Sequence, residues 1–479
     1  MTSSPQIERP AARVATKVIT LPGAVASFRR VKCHWAKRQN HRAVHPLVRG
    51  AFYVFIFSLL FEWPDRPIPM EIPTLIGFIY LAFTLLQPKV CYRYFPKELW
   101  FYAVYILFLA ILCGFVKRQD DAIKLLTLMV QIFFLMWSGY NLMRYERIMK
   151  TALMTLVISC SALSVMQLLG VATTSIEDYY DGTRISVLGQ NPNNMANNIS
   201  LGLVALMGFA FGRNKTWLRA KYVAAPLAVI MVGAIIDTGS RGALLALAIG
   251  FAAFALRGKT LRAKAKSLVI VLAVLGVLVL AVLQTPSLVS RYKQSIYGNN
   301  MAGRENIFPT AWDMFKDKPL IGWGPIDNMY ELGRRLQIMY GVRVGLDGSK
   351  DTHNMLLGAL TSTGLFGTVP LLICIVLCLL AAWRARRGSL GALPIVMVIT
   401  VILINMSGNW IASKLDWLMM ACALASANLL HAVRPRLAAA NPTSPPRFLN
   451  ATPAPAHVTQ GQVGEAGSAA YPDQQIGLE

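Results

Sequence analysis

The chain has 479 residues, of which 55% are hydrophobic and only 15% are charged. Because a soluble domain carries roughly 25% charged residues, this composition excludes an ordinary soluble protein. The net charge of +24 suggests nucleic-acid binding when it is taken alone. The Lys and Arg residues are, however, concentrated in alternate short connections between apolar segments, as in membrane proteins, so we predict no nucleic-acid partner.

Apolar residues form blocks of roughly the 20 residues that an α-helix needs to cross a bilayer. The predicted spans are 46–63, 72–87, 97–115, 122–141, 148–170, 193–212, 221–237, 239–256, 267–284, 355–383, 391–410 and 414–432. We therefore expect an all-α polytopic membrane protein with about 12 transmembrane helices, contained in residues 46–432.

The distribution of positive charge predicts how these spans are oriented. Cytoplasmic loops retain Lys and Arg because translocating these residues is unfavourable and because they meet anionic lipid headgroups. The alternation predicts that both termini are cytoplasmic and that the long polar segment 285–354 faces outward. Residues 1–45 are basic and lack the apolar core of a signal peptide, so we interpret them as a cytoplasmic tail on membrane lipid. Residues 433–479, rich in Ala, Pro and Gln, predict a disordered cytoplasmic tail.

The segment RISVLGQNPNNMANN, residues 184–198, leads into the sixth predicted span from the outer side. Asn191 followed by Pro192 is a turn signal. Four further amides follow on one side of the first helical turns: Asn193, Asn194, Asn197 and Asn198. Helix capping explains a single Asn here, but four amides entering an apolar helix cost free energy unless they are paired. We therefore predict a polar pocket at this helix end that binds sugar hydroxyls.

The segment DTGSRGALLALA separates the seventh and eighth predicted spans. Asp237, Ser240 and Arg241 lie in a hairpin too short to place them far from the membrane surface. Gly239 and Gly242 allow a tight turn and the close approach of a ligand. Arg241 either snorkels or pairs with Asp237, or it contacts an anion, since guanidinium binds phosphate oxygens through two parallel hydrogen bonds.

The outer segment continues with GRENIFPTAWDMFKDKPLIGWGP, residues 303–325. Apolar side chains at helical spacing predict a short amphipathic helix in the headgroup layer; they are Ile307, Phe308, Ala311, Trp312 and Phe315. Arg304 lies at the start of this helix, where it and free backbone N–H groups could face a phosphate together. Trp323, in the rigid turn that follows, is either a membrane anchor or a sugar-stacking platform.

His353 precedes the tenth predicted span by two residues and is the only histidine on the predicted outer side. An isolated histidine is often a hydrogen-bonded structural residue. Here Asp351 is near enough to orient the imidazole, Asn354 adds a donor, and imidazole has a suitable pKa to take a hydroxyl proton. We predict that His353 accepts that proton or positions the hydroxyl.

Together these residues favour transfer from a lipid diphosphate. The arginines would neutralise the diphosphate leaving group, a role often filled elsewhere by a divalent metal. No nucleotide is expected outside the cytoplasm, so the donor arrives on a lipid. We predict no cofactor and no metal site, although Glu177, Asp178 and Asp181 lie close together in the fifth-to-sixth connection and leave a metal open.

Taken in chain order, these motifs resemble those of the bacterial O-antigen ligase and polymerase superfamily. The likeness rests on a Gly-Ser-Arg-Gly turn, a later Arg before an apolar-aromatic helix and KPLIGWGP, and His-Asn opening a span with GLFG. It covers residues 184–383 well, and the twelve-span topology extends it over 46–432.

The resemblance implies an enzyme of the bacterial inner membrane that acts on the periplasmic face. Such enzymes transfer glycan from undecaprenyl diphosphate without a nucleotide-sugar and, for the ligases, without metal. The catalytic residues implied are Arg241, Arg304 and His353. The predicted substrate-binding residues are Arg184, which matches a more variable arginine of the family, Asn191, Asn194, Trp323 and Asn354.

The resemblance leaves the acceptor open. Ligases attach a finished glycan to lipid A–core, polymerases join repeat units into a growing glycan, and relatives attach glycan to protein. A single large outer loop ending in His-Asn favours the ligase, with an O-antigen or exopolysaccharide polymerase as the alternative. A lipid-linked oligosaccharide transporter is the alternative from another class, but the polar residues gather at one face and no repeat relates 46–256 to 267–432.

Overall fold

The computed structural model of the chain describes residues 43–64, 70–178, 182–210, 221–254, 261–297, 303–342, 347–408 and 411–440. The chain divides into two units, Met1–Val433 and Arg434–Glu479. The predicted N-terminal tail up to residue 42 and the predicted C-terminal tail from residue 441 lie outside the described residues.

The described part is mostly helical. The first six helices are α1 (Pro46–Ser58), α2 (Ile72–Thr84), α3 (Pro88–Cys91), α4 (Glu98–Cys113), α5 (Gln119–Met143) and α6 (Glu146–Leu168). A hairpin of β1 (Thr173–Asp178) and β2 (Gly182–Val187) precedes α7 (Pro192–Ala210), α8 (Lys221–Asp237), α9 (Arg241–Ala253) and α10 (Leu261–Leu283). The remaining helices are α11 (Pro286–Tyr297), α12 (Arg304–Asp317), α13 (Asp327–Tyr340), α14 (Met355–Ala385), α15 (Leu393–Asn405) and α16 (Lys414–Ala440).

Each of the predicted apolar blocks contains a helix, with bounds that differ by a few residues. Within the described ranges, α5, α6 and α14 are long and apolar enough to cross a membrane, and α1, α2, α4, α8, α9 and α15 include shorter apolar helices. The number of twelve spans and the outward position of segment 285–354 stay predictions. Helix α16 continues to Ala440, into the start of the predicted C-terminal tail.

A β-hairpin adds two short strands to the mostly helical fold. Its strands, TTSIED and GTRISV, are rich in β-branched residues, which favour extended backbone because their side chains are restricted in a helix. They pair antiparallel, with Ile176 opposite Arg184 and Ser175 opposite Ile185. The sequence prediction treated this segment as a connection. The hairpin carries Arg184 to the start of α7.

Helix α7 lies at the centre of the helical bundle. It packs against α6, α8, α9 and α15, and most of its residues are buried, including Asn197 and Asn198. Its apolar residues join the main core of the protein. The amides of Asn197 and Asn198 are therefore held inside the protein, whereas Asn193 and Asn194 are half-buried.

Segment 285–354 has a small core of its own. The predicted amphipathic helix is confirmed as α12, and it packs against α13. The core consists of Ile307, Ala311, Met314, Leu332 and Leu336. Trp312, which was expected on the apolar stripe, is 47% exposed. The segment is therefore a folded helical pair over 304–340.

The KPLIGWGP motif attaches this helical pair to α14. Gly364 interrupts α14 with φ 58° and ψ −159°, a conformation that glycine adopts without steric cost. The chain of the motif docks beside this interruption, so that a Cβ on Gly364 would meet the backbone of Leu320. Four backbone hydrogen bonds of 2.8–3.1 Å hold it there: Leu365 to Pro319, Phe366 to Leu320, Trp323 to Thr361 and Gly324 to Ser362. The motif therefore fixes the loop to the start of α14.

Candidate active site

The N-terminal end of α7 is tied to its surroundings by Arg184. The side-chain oxygen of Asn191 accepts a hydrogen bond from the backbone N–H of Asn193 at 2.9 Å, which caps the first turn. The Arg184 guanidinium donates through Nη2 to Oδ1 of Asn193 at 2.8 Å and through Nε to the carbonyl oxygen of Thr238 at 2.9 Å. Arg184 thereby connects the hairpin, the start of α7 and the turn before α9.

Arg241 is the first residue of α9. Gly239 turns the chain with a φ of 66°, and the hydroxyl of Ser240 caps the helix by accepting a hydrogen bond from the N–H of Ala243 at 3.4 Å. Burial raises the pKa of Tyr292 in α11, and the charge of Arg241 opposes this rise. Arg241 therefore lies close enough to segment 285–354 to act on it electrostatically.

Arg304 is likewise the first residue of its helix, α12. A cation at a helix N-terminus is disfavoured by the helix dipole, whereas an anion bound there is stabilised by both the cation and the N–H groups. Two arginines in this position, Arg241 and Arg304, therefore suit the binding of a phosphate group better than they suit helix stability.

The turn after α15, residues 406–408, is the place where the separate motifs meet. Arg304 donates through Nη2 to the carbonyl oxygen of Ser407 at 2.9 Å. Asn354 donates through Nδ2 to the carbonyl oxygen of Met406 at 3.2 Å. The residue after Arg241, Gly242, packs on the same turn, where an added Cβ would lie 2.6 Å from Oγ of Ser407.

The backbone at His353 is in a strained conformation. Its φ is 49°, a left-handed value that costs a residue other than glycine about 1–3 kcal/mol. Oδ2 of Asp351 accepts a hydrogen bond from the backbone N–H of His353 at 3.1 Å and lies 3.3 Å from its Nδ1. Asn354 caps α14 by accepting a hydrogen bond from the N–H of Leu357 at 3.1 Å. These contacts hold the imidazole beside the start of α14.

His353 lines a cavity of about 350 Å³. The lining comes from five parts of the chain: the region from the end of α1 to the start of α2, Leu128 of α5, the start of α7, the segment before α14, and residues 407–408 with 412–415. The amides of the Asn-rich segment that line it are Asn191, Asn193, Asn194, Asn197 and Asn198. The structure thus brings the Asn-rich helix end and the histidine, which are far apart in the sequence, to one polar space.

The predicted site residues divide into three groups. Asn191, Asn194 and His353 line the cavity itself. Arg184 binds Asn193 and Arg304 binds Ser407, and both of these partners line the cavity. Asn354 binds the turn after α15, and Gly242, the residue after Arg241, packs on the same turn. Trp323 is not among the lining residues.

Trp323 instead belongs to the helical pair of segment 285–354. Its indole N–H donates to the carbonyl oxygen of Met314 at 2.8 Å. The ammonium of Lys318 lies 4.0 Å from the centre of its ring, a cation–π arrangement. These contacts describe a packing residue, and its predicted role in substrate binding stays a prediction.

The surroundings of His353 favour its neutral form. Burial lowers the pKa of His353, Asp351 raises it, and the positive charges of Arg304 and Lys350 lower it. The net result is a pKa below the ordinary value. A neutral imidazole with its Nδ1 proton facing Asp351 presents Nε2 as a proton acceptor. The site can therefore supply a general base near neutral pH.

Sequence reasoning missed three charged residues that line the cavity: Glu62, Glu71 and Lys414. The ammonium of Lys414 donates to Oγ1 of Thr74 at 2.8 Å and lies 3.9 Å from Oε2 of Glu71. Glu62 interacts electrostatically with both Glu71 and Lys414. The sequence does show Lys414 as a charged residue that opens an apolar span. Its partner Thr74, however, lies 340 residues away in the sequence, so the contact between them is not visible locally.

Among the described residues, no group of three or more His, Cys, Asp and Glu side chains is arranged to hold a metal ion. The sequence left a metal site open at three acidic residues between α6 and α7. Of these, Asp181 and the side chains of Glu177 and Asp178 are outside the described residues.

A comparison with family models finds the O-antigen ligase family, matched by residues 226–372. The matched region runs from α8 to the middle of α14 and contains Arg241, Arg304 and His353. No curated protein matches the chain.

Proposed function

We propose that the chain, which matches the O-antigen ligase family over residues 226–372, transfers a glycan from undecaprenyl diphosphate to a sugar hydroxyl of lipid A–core on the periplasmic face of the inner membrane. The family and the apolar helices make it a membrane enzyme of the O-antigen ligase or polymerase type. The donor, the acceptor and the face of the membrane are the proposal.

The observation that carries the proposal is the position of His353. It lines a polar cavity together with the amides of α7, and Asp351 lies 3.3 Å from its Nδ1. Arg304, whose charge acts on His353, is held by the carbonyl oxygen of Ser407 in the cavity lining. A base, hydrogen-bonding groups for sugar hydroxyls and an anion-binding cation therefore share one site.

The proposed reaction is a displacement at the anomeric carbon of the donor sugar. The acceptor oxygen forms a bond to that carbon, and its proton passes to Nε2 of His353. The bond between the anomeric carbon and the diphosphate oxygen breaks, and its electron pair leaves with the diphosphate. Arg304 and Arg241 stabilise the negative charge that develops on this leaving group, because guanidinium groups bind phosphate oxygens in pairs.

Arg184 supports this site from the side of α7. Its hydrogen bonds to Asn193 and Thr238 fix the Asn-rich helix end relative to the turn that carries Arg241. We therefore assign it a positioning role for the amides, with Asn191 and Asn194 as contacts for the hydroxyls of the glycan.

The test is a transfer assay with the purified protein in liposomes, undecaprenyl-diphosphate glycan and a lipid A–core acceptor. Wild type should yield capped core, and Arg241→Ala, Arg304→Ala and His353→Ala should lose this product. Arg334→Ala is the matched control, because this arginine of the same segment pairs with Glu331 at 2.7 Å and is 59% exposed. It should retain activity.

Other products would change the assignment. Longer glycan on the undecaprenyl carrier with bare core would identify a polymerase. Translocation of the glycolipid without any transfer would identify a transporter. Loss of activity with EDTA, restored by magnesium, would contradict charge stabilisation by the arginines alone.

A further inference from the structure

The cavity has an acidic side that the proposed reaction does not use. We define it by Glu62 and Glu71, with Lys414 between them. Glu62 follows the end of α1 and Glu71 is the residue before α2, while Lys414 opens α16. Only 6% of the Lys414 side chain is exposed, so its long stem is packed and its ammonium is held at the cavity.

An uncompensated polar atom lies in the same cavity. Asn197 lines it and is only 4% exposed, yet within the described ranges its side-chain oxygen has no hydrogen-bond partner. A buried acceptor left unpaired costs about 1–3 kcal/mol. A ligand with hydroxyl or N–H donors supplies the missing partner when its binding turns this amide toward the cavity.

The arginines and the acidic side differ in the ligand that they favour. Arg304 is bonded to the lining residue Ser407, and its positive charge favours the donor diphosphate. The carboxylate of Glu71 repels a diphosphate, and the side chains of both Glu62 and Glu71 accept hydrogen bonds from neutral hydroxyl groups. His353 lines the same cavity and is the base for the attacking hydroxyl.

We propose that the acidic side of the cavity, together with Asn197, is the acceptor subsite and that it selects an acceptor sugar without negative charge. The carboxylates and the Asn197 oxygen accept hydrogen bonds from the sugar hydroxyls, and the ammonium of Lys414 donates one to a ring or hydroxyl oxygen. The chemistry is that of the proposed transferase, on which this inference rests: the attacking hydroxyl gives its proton to His353 and its oxygen to the anomeric carbon.

The selection follows from electrostatics and from unmet hydrogen bonds. A carboxylate or phosphate on the acceptor would lie beside the Glu71 carboxylate and would leave the acceptor oxygens of both glutamates without donors. A site built to hydrogen-bond hydroxyl groups rejects a ligand that cannot supply them. A neutral sugar, or one bearing an amine, satisfies the acidic side.

The experiment measures the acceptor KM, donor KM and kcat in liposomes with two lipid-linked acceptors, one ending in a neutral hexose and the other in the matching hexuronic acid. Glu62→Gln and Glu71→Gln should each raise the KM for the hexose acceptor about tenfold, since a charged hydrogen bond is lost, and leave the donor KM unchanged. The double variant should reduce the preference for hexose over hexuronic acid about tenfold. Glu146→Gln is the matched control, because Glu146 pairs with Lys150 at 2.6 Å and does not line the cavity.

Asn197→Ala provides a second test that leaves the charges in place, in case Lys414 without its carboxylate prevents folding. It should raise the acceptor KM and leave the donor KM unchanged. A changed donor KM with an unchanged acceptor KM, or an unaltered preference between the two acceptors, would overturn the acceptor subsite while wild-type transfer upholds the proposed function. Absence of transfer by wild type to either acceptor would overturn the proposed function and this inference with it.

Discussion

Segment 285–354 contains two sets of cations with different surroundings. Arg335 pairs with Asp317 at 2.7 Å and with Glu331 at 2.6 Å, and Arg334 also binds Glu331. The pair with Asp317 links α13 to α12, and the pairs with Glu331 lie within α13. Arg304 donates instead to a backbone carbonyl oxygen in the cavity lining. A high density of arginine in a loop therefore does not by itself locate an anion site, because neighbouring carboxylates decide which cations are structural.

The pKa values reflect the same difference. Hydrogen bonds from Arg334 lower the pKa of Glu331, burial opposes this, and Arg335 lowers it further. The positive charge of Arg304 instead lowers the pKa of His353. The arginines of α13 form ion pairs with Glu331, whereas the charge of Arg304 helps to keep the imidazole of His353 neutral.

The largest effect should come from His353. His353→Gln keeps a polar side chain but removes the proton acceptor, and kcat should fall about 10²–10⁴-fold, the usual contribution of a general base. Arg335→Ala should leave kcat within about twofold, because the ion pairs of Arg335 lie within α13 and between α13 and α12, away from the cavity. Equal losses in the two variants would show that the cations of α13 also act in the reaction.

A smaller effect should follow from Gly242→Ala. The new Cβ would lie 2.6 Å from Oγ of Ser407, so the turn that binds Arg304 and Asn354 must shift, and overpacking of this kind costs about 1–3 kcal/mol. We expect kcat to fall about tenfold. Adding Ser407→Gly removes the obstructing hydroxyl and should restore kcat, and failure of this rescue would separate the turn from catalysis.

Opposite shifts of the pH profile should follow from two adjacent charges. The base acts in its neutral form, so kcat rises with pH through the pKa of His353 and then levels off. Lys350→Gln removes a cation, raises the pKa of His353 and moves this rise to higher pH, whereas Asp351→Asn removes an anion and moves it to lower pH.

The charged residues of the acidic side, Glu62, Glu71 and Lys414, are the same in both variants. They cannot account for a difference in direction between Lys350→Gln and Asp351→Asn. The measurement is kcat against pH at saturating donor and acceptor. Unmoved or parallel profiles would mean that His353 is not the titrating base.

The smallest effect is one of stability. Arg335→Ala removes partly buried ion pairs to Asp317 and Glu331, with 19% of the Arg335 side chain exposed. We expect the free energy of unfolding to fall by about 1 kcal/mol, measured by thermal unfolding in detergent. Arg334→Ala, whose side chain is 59% exposed, should change it less.

The helices were predictable because a long apolar run is visible locally in the sequence. The hairpin was not predicted, because its six-residue strands contain no long apolar run, although their β-branched residues favour extended backbone. The ion pairs of Glu331 with Arg334 and Arg335 were also readable, at spacings of three and four residues on one helix. The hairpin and these ion pairs are therefore both visible in local sequence patterns.

The shape of the site was not predictable in the same way. The turn after α15 receives Arg304 from 103 residues away and Asn354 from 52 residues away. Lys414 meets Thr74 across 340 residues. The chemical types of His353, Arg304 and the Asn-rich segment indicated a candidate site, but its shared turn and acidic side depend on how distant helices pack.

The most direct measurement is a cryo-EM structure of the protein in nanodiscs with undecaprenyl diphosphate. Density for the diphosphate should lie at the cavity edge, within hydrogen-bond distance of Arg304 and on the arginine side of His353. Diphosphate bound beside Arg334 and Arg335, or against the carboxylates of Glu62 and Glu71, would contradict the assignment of the donor and the acceptor to opposite sides of the cavity.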